Sequence, residues 1–322
     1  MNTKEIRVIL LTLFMVGLIL FSACGGTPPT EVNEENQQSP EEGVPEIAPE
    51  TYESAPEADD STPPVEEAAA TLPSDPQKMK FPTSDGVQLD GVYYPAGSAS
   101  APLVILIHWM PGDQDDWVEI AYWLQNRGLG GHSTSNENTP WLDSSWFPVI
   151  EAEKTYNVFT FTLRNCVGGC KSLEQANWYL DVQAAVEYAY ELEGVDKDNI
   201  VMIGASVGSD GAIDGCAYLN RIHPDACKGA LSFSPGSYLL IDFGEMVKEL
   251  GTASNPKPVW CLYAESDPES AAVCGNITED NYTAYPYSPD VIFSNGHGMN
   301  LITPNQDPDP LGLMFEFLVL VS

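Results

Sequence analysis

The residues best suited to chemistry are Gly204-Ala205-Ser206-Val207-Gly208. The Gly-x-Ser-x-Gly pattern occurs by chance, so its context decides. Asn199–Ala205 (NIVMIGA) reads as a buried strand, and Gly208–Leu219 as a helix rich in small residues. A serine at such a junction sits on a tight, strained turn that projects its hydroxyl clear of the sheet. Side chains in place of the flanking glycines would collide with the neighbouring strand and helix. The helix that starts there favours negative charge developing nearby. A serine hydroxyl is a poor nucleophile until a base takes its proton, and the chain has four histidines, at 108, 132, 223 and 297.

The elements that must position these residues follow from hydropathy. Val87–Tyr94 alternates and reads as a strand. Pro102–His108 (PLVILIH) is a continuous apolar run, the pattern of a strand covered on both faces. Asp116–Arg127 has helical spacing, and Tyr156–Leu163 reads as a strand. Ser172–Leu192 is a long helix with Ser172 as N-cap and Gly194 as stop. Lys228–Ser234, Pro258–Ala264 and a short Asp290–Ser294 are further strands, and Asp309–Val321 is a closing helix. Strands alternating with helices predict an α/β fold, a mostly parallel sheet flanked by helices on both faces. Ligands in such sheets bind at the carboxyl ends of the strands. The stretch Gly128–Glu151, with Trp141, Trp146 and Phe147, reads as a long loop that either roofs the site or packs on the surface.

With the serine motif in this setting, residues 82–320 resemble the α/β-hydrolase family, and within it the dienelactone-hydrolase-like serine esterases. The resemblance implies the chain order serine, acid, histidine. It assigns the acid to Asp267, in Tyr263-Ala264-Glu265-Ser266-Asp267-Pro268, with Glu265 and then Asp290 as alternatives. A loop aspartate that merely caps the next helix is the other reading of Asp267. The base falls at His297, in Asn295-Gly296-His297-Gly298-Met299, where glycines on both sides allow a tight turn. The segment His108-Trp109-Met110-Pro111-Gly112 matches the family's oxyanion loop, which implies that the N–H groups of Met110 and Val207 hold the oxyanion. Trp109 stands where the family usually has glycine, so the amide of Trp109 is the alternative donor. His108 is expected to be structural, hydrogen-bonded inside the loop. The implied activity is hydrolysis of carboxylic esters through an acyl-enzyme, with no cofactor and no metal. The alternatives are a peptidase or amidase of the same fold, or a binding protein with an inactive site.

The 322 residues include 13 Lys and Arg against 47 Asp and Glu, a net charge of −34. No basic surface is available to displace counterions from phosphates, so nucleic acid is excluded as an expected partner. Fourteen of the acids fall between Thr27 and Gln77 with no Lys or Arg. That Pro- and Glu-rich stretch has too little apolar surface to offset its ordering entropy, and residues 24–77 are read as a disordered acidic linker. Residues 78–322 form the folded domain. Residues 1–23 read as a signal peptide, with Lys4 and Arg7 ahead of an almost wholly apolar run. The following Leu20-Phe21-Ser22-Ala23-Cys24-Gly25 resembles the bacterial lipobox, with Phe21 in place of the usual aliphatic residue. This implies cleavage before Cys24, acylation of its thiol and a lipid anchor on the extracytoplasmic face of the cell membrane. Six other cysteines, at 166, 170, 216, 227, 261 and 274, suggest disulfides in an exported domain. Fifteen pairings are open, and neighbour pairing is preferred over the others and over buried free thiols.

Overall fold

The structure, a computed structural model, describes residues 75–126, 139, 142–288, 296–303 and 306–322. The signal peptide, Cys24 and nearly all of the acidic linker therefore lie outside the described residues. Eight described strands form one sheet: β1 (Gln77–Pro82), β2 (Gln88–Tyr94), β3 (Ala101–Ile107), β4 (Asn157–Phe161), β5 (Val195–Ala205), β6 (Cys227–Phe233), β7 (Val259–Ala264) and β8 (Tyr282–Tyr287). Their order is β1-β2-β4-β3-β5-β6-β7-β8. β1 and β2 pair antiparallel, as do β2 and β4, and the remaining pairs are parallel. The helices among the described residues are α1 (Val118–Gln125), α2 (Gln175–Tyr190), α3 (Val207–Ile222), α4 (Phe243–Thr252), α5 (Pro268–Cys274) and α6 (Pro310–Val321). None is long and apolar enough to cross a membrane.

The sheet is covered on both faces, and β3 shows why its sequence is an unbroken apolar run. Side chains alternate across a strand. Leu103, Ile105 and Ile107 enter one core with Trp178 and Val182 of α2, Ile213 of α3 and Phe243 of α4. Val104 and Leu106 enter the other with Ile120 and Leu124 of α1 and Met314 and Phe317 of α6. All three neighbour disulfides are present: Cys166–Cys170, Cys216–Cys227 and Cys261–Cys274.

Two sequence expectations change, and a third is left untested. Ser172 does not cap α2. The helix begins at Gln175 after Glu174, and the Ser172 hydroxyl lies 3.1 Å from Glu174 Oε1, which also accepts from Asn165. The domain gains β1, whose Lys78 and Lys80 hide an inward-facing Phe81. The expected strand Asp290–Ser294 lies outside the described residues, and β8 precedes it.

Within α3, Asp214 is 1% exposed and neither of its carboxyl oxygens has a hydrogen-bond partner among the described residues. Burial first, and then the charges of Asp210 and Glu249 against that of Arg221, push its carboxyl up to about 8. The folded protein thus holds a proton that the unfolded chain releases near pH 4. Stability therefore falls as pH rises between about 4 and 8, by at most about 1.4 kcal/mol per pH unit for one such group. Asp214→Asn should raise the melting temperature at pH 8 clearly more than at pH 5. Equal shifts at the two pH values would contradict this account.

Candidate active site

β5 delivers Ser206 and α3 leaves from it. Ser206 adopts φ 53° and ψ −120°, a conformation L-residues rarely hold. It survives because the surrounding backbone leaves no alternative. The Ser206 N–H donates to Phe233 O at 2.8 Å. A Cβ on Gly204 would sit 1.8 Å from Gly208 O, and one on Gly208 would sit 2.2 Å from Ile107 O. Both glycines are therefore required where the helix crosses the strand ends.

The three distant side chains meet. His297 Nε2 lies 2.8 Å from Ser206 Oγ, and His297 Nδ1 lies 2.6 Å from Asp267 Oδ2. The carboxylate accepts the Nδ1–H, which leaves the Nε2 lone pair facing the serine hydroxyl. This tautomer follows from the hydrogen-bond network. Gly296 and Gly298 both have positive φ, at 64° and 58°. A Cβ on Gly298 would lie 2.9 Å from the Trp109 ring and 3.4 Å from Ser206 Cβ. The tight turn expected of these glycines is thus present, and Gly298 also lets the backbone approach Trp109 and Ser206 closely.

Asp267 makes the contacts of both readings weighed for it, capping a helix and facing His297. It is the N-cap of α5, with Oδ1 accepting from Ser270 N–H at 3.4 Å. Its Oδ2 accepts from Ser270 Oγ at 2.7 Å as well as from His297. Burial alone would raise this carboxyl, but the hydrogen bonds from His297 and Ser270 outweigh it, and the net displacement is below the ordinary aspartate range. Glu265 is exposed at the end of β7, and its N–H donates to Tyr287 O. Asp290 lies outside the described residues.

Val207 opens α3 beside the serine, and Met110 follows β3. No described residue accepts a hydrogen bond from either N–H. His108 is fully buried and lies at the heart of this loop. Its Nδ1–H donates to Trp109 O at 2.7 Å, and its Nε2 accepts from Leu163 N–H at 3.0 Å. Burial drives its pKa down to about 4, so it stays neutral. Because a peptide is planar and trans, fixing the Trp109 carbonyl also fixes the direction of the Met110 N–H. The Trp109 indole turns away and donates to Asp116 Oδ2 at 2.6 Å. That contact accommodates tryptophan in a position where glycine was expected.

Two contributors escaped the sequence. The carboxylate of Asp210 accepts from the N–H groups of Gly236, Ser237 and Tyr238. The Tyr238 ring then meets the His297 imidazole edge-on at 6.3 Å, with its hydroxyl donating to Glu269 at 2.8 Å. Nothing local marks this turn, since its anchor is 26 to 28 residues earlier. The Asp267-Pro268-Glu269-Ser270 run is itself a helix-start pattern and held the signal for Ser270.

The remaining candidates sit elsewhere. His223 ends α3 and stacks on Tyr190 at 3.9 Å. His132 and Trp141 lie outside the described residues. In the aromatic loop, Phe147 packs on Trp123 of α1 at 5.4 Å, and Trp123 Nε1–H donates to Pro148 O. The described part of that loop therefore packs against α1, with Leu142, Phe147 and Ile150 buried in the core. A cleft of about 390 Å³ is bounded by Pro102, Thr155, Tyr156 and Ser322, at the opposite end of β3 from the serine. No described cluster of His, Cys, Asp and Glu is arranged to hold a metal.

No protein-family description and no curated protein matches the chain. Solved structures do. The α/β hydrolase GrgF from Penicillium sp. sh18 superposes with a TM-score of 0.51 at 14% identity, over 77% of this chain and 99% of its own. DcsB, solved in complex with its substrate analogue, gives 0.50 at 12% identity, over 77% of this chain and all of its own. The domain has the α/β-hydrolase fold.

Proposed function

We propose that this protein is a lipid-anchored, extracytoplasmic serine hydrolase that cleaves carboxylic esters. The observation that carries the proposal is the continuous hydrogen-bonded chain Ser206 Oγ, His297 Nε2, His297 Nδ1, Asp267 Oδ2, at 2.8 and 2.6 Å. In the reaction, Ser206 Oγ attacks the ester carbonyl carbon while His297 Nε2 accepts its proton. Asp267 holds the imidazole in the required tautomer and stabilises the imidazolium. The oxyanion forms against the N–H groups of Val207 and Met110, at the positive end of α3. His297 then returns the proton to the leaving alcohol, and the acyl group stays on Ser206. Water, deprotonated by His297, attacks that acyl-enzyme and frees the acid and the serine. Every group invoked belongs to the chain, and no cofactor takes part. The cell membrane is engaged through acylated Cys24, and the substrate is a small-molecule ester.

One experiment tests both halves. Cells producing the full chain are treated with a fluorophosphonate probe, fractionated, and mapped by mass spectrometry. Label is expected on Ser206 in the membrane fraction, moving to the soluble fraction in the Cys24→Ala variant. An unlabelled Ser206 overturns the hydrolase reading, and membrane retention of the variant overturns the lipid anchor.

A further inference from the structure

The loop that follows β4 is closed into a small ring by Cys166–Cys170 and is docked on the Met110 segment. Its base is rigid. Arg164 N–H and Nε donate to the buried Asp181 at 2.8 Å each, and Leu163 N–H reaches His108. Its far side touches the oxyanion loop three times. Cys170 N–H donates to Met110 O at 2.8 Å, and Gly168 N–H donates to Asp113 Oδ2 at 2.7 Å. Gly169, at φ 97°, approaches so closely that a Cβ there would stand 2.7 Å from Pro111 O. Met110 is therefore gripped on both sides. His108 holds the peptide before it through Trp109 O, and the disulfide ring holds the peptide after it through Met110 O.

The ring is poorly suited to a global stabilising role. Its cysteines are 4 residues apart, against 11 and 13 for the other two bonds. The constraint a disulfide places on the unfolded chain grows with loop length. What this one does is freeze a turn holding two positive-φ glycines, Gly168 and Gly169. It is also the reachable one. Cys170 is half-buried, whereas Cys216, Cys227, Cys261 and Cys274 are at most 1% exposed. Thiol–disulfide exchange needs access to the attacked sulfur.

We propose that the Cys166–Cys170 bond is a positioning element for the Met110 amide, so that hydrolysis depends on its redox state. The inference rests on the hydrolase reading above. A dithiol opens the bond by two-electron exchange. One thiolate attacks Cys170 Sγ and expels the Cys166 thiolate, which takes up a proton. The second thiol of the reductant then displaces Cys170 as a thiol and closes its own disulfide. The ring relaxes, Met110 O loses its held partner, and the Met110 amide is left gripped on one side only, through Trp109 O.

The test uses the full chain under native conditions. The protein is reduced with dithiothreitol, alkylated with iodoacetamide, freed of reagents and mapped. Alkylation is expected on Cys166 and Cys170 before the four buried cysteines. Turnover of a p-nitrophenyl ester should fall at least about tenfold in kcat with KM within about twofold, since oxyanion contacts act on the transition state. Reoxidation before alkylation should restore it. Should the bond resist the reductant, the Cys166→Ala/Cys170→Ala variant, with its melting temperature checked, supplies the same comparison. An opened or substituted protein that keeps its kcat, or changes only in KM, overturns the proposal. If the intact protein neither turns over ester nor takes up a fluorophosphonate, the hydrolase reading has failed and takes this one with it. Activity in the intact protein with no change on opening defeats this inference alone.

Discussion

Replacing Ser206 by alanine should lower kcat for a p-nitrophenyl short-chain ester by about 10⁶, to the floor of the assay. The size follows from how the residues act together. Without the hydroxyl there is no acyl-enzyme, and the imidazole has nothing to deprotonate but water. Only the oxyanion contacts and substrate binding remain, worth roughly 10³–10⁴ over the uncatalysed reaction. His297→Ala should fall as far, and the double variant little further, because each change disables the same unit. The fold should be untouched, since the Ser206 side chain contacts His297 rather than a core partner. A Ser206→Ala protein that retains more than about a hundredth of native turnover would remove this residue from the mechanism.

Asp267→Asn should lower kcat by about 10⁴ while leaving the melting temperature nearly unchanged. Asparagine caps helices as well as aspartate does, so the start of α5 keeps its partner. The asparagine amide, however, favours the wrong imidazole tautomer and offers no charge to the imidazolium. Asp267→Ala should show both losses: the same fall in turnover and about 1 kcal/mol of stability from the missing cap. The pair of variants separates the two tasks. If Asp267→Asn keeps kcat within tenfold of native, the residue is a cap and the acid must be sought elsewhere.

The parts of this molecule that could be read from sequence are those where local chemistry and tertiary demand coincide. β3 and the Ile200–Ala205 half of β5 are buried on both faces, so their apolar runs announce them. Gly204 and Gly208 are visible because the backbone crossing admits no Cβ. His108 was legible as a structural residue for the same kind of reason, being polar at the end of a fully buried strand. The edges of the sheet were harder. β1 carries Lys78 and Lys80, and β8 carries Pro286, features that suit strands with an unpaired side and mimic loops. Ser172 looked like a cap, but a carboxylate two residues on took its hydroxyl instead. The Asp210 anchor and the Tyr238 contact with His297 had no local signature, because long-range closure creates them.

The seven-residue α5 is fastened to β7 at both ends: its cap Asp267 donates its N–H to Ala264 O at the strand's end, and Cys274 is bonded back to Cys261 within the strand. So short a lever, hinged twice on one support, has no free arm to swing. The carboxylate is thereby tied to the sheet, so its position is set by the scaffold rather than by an arriving guest.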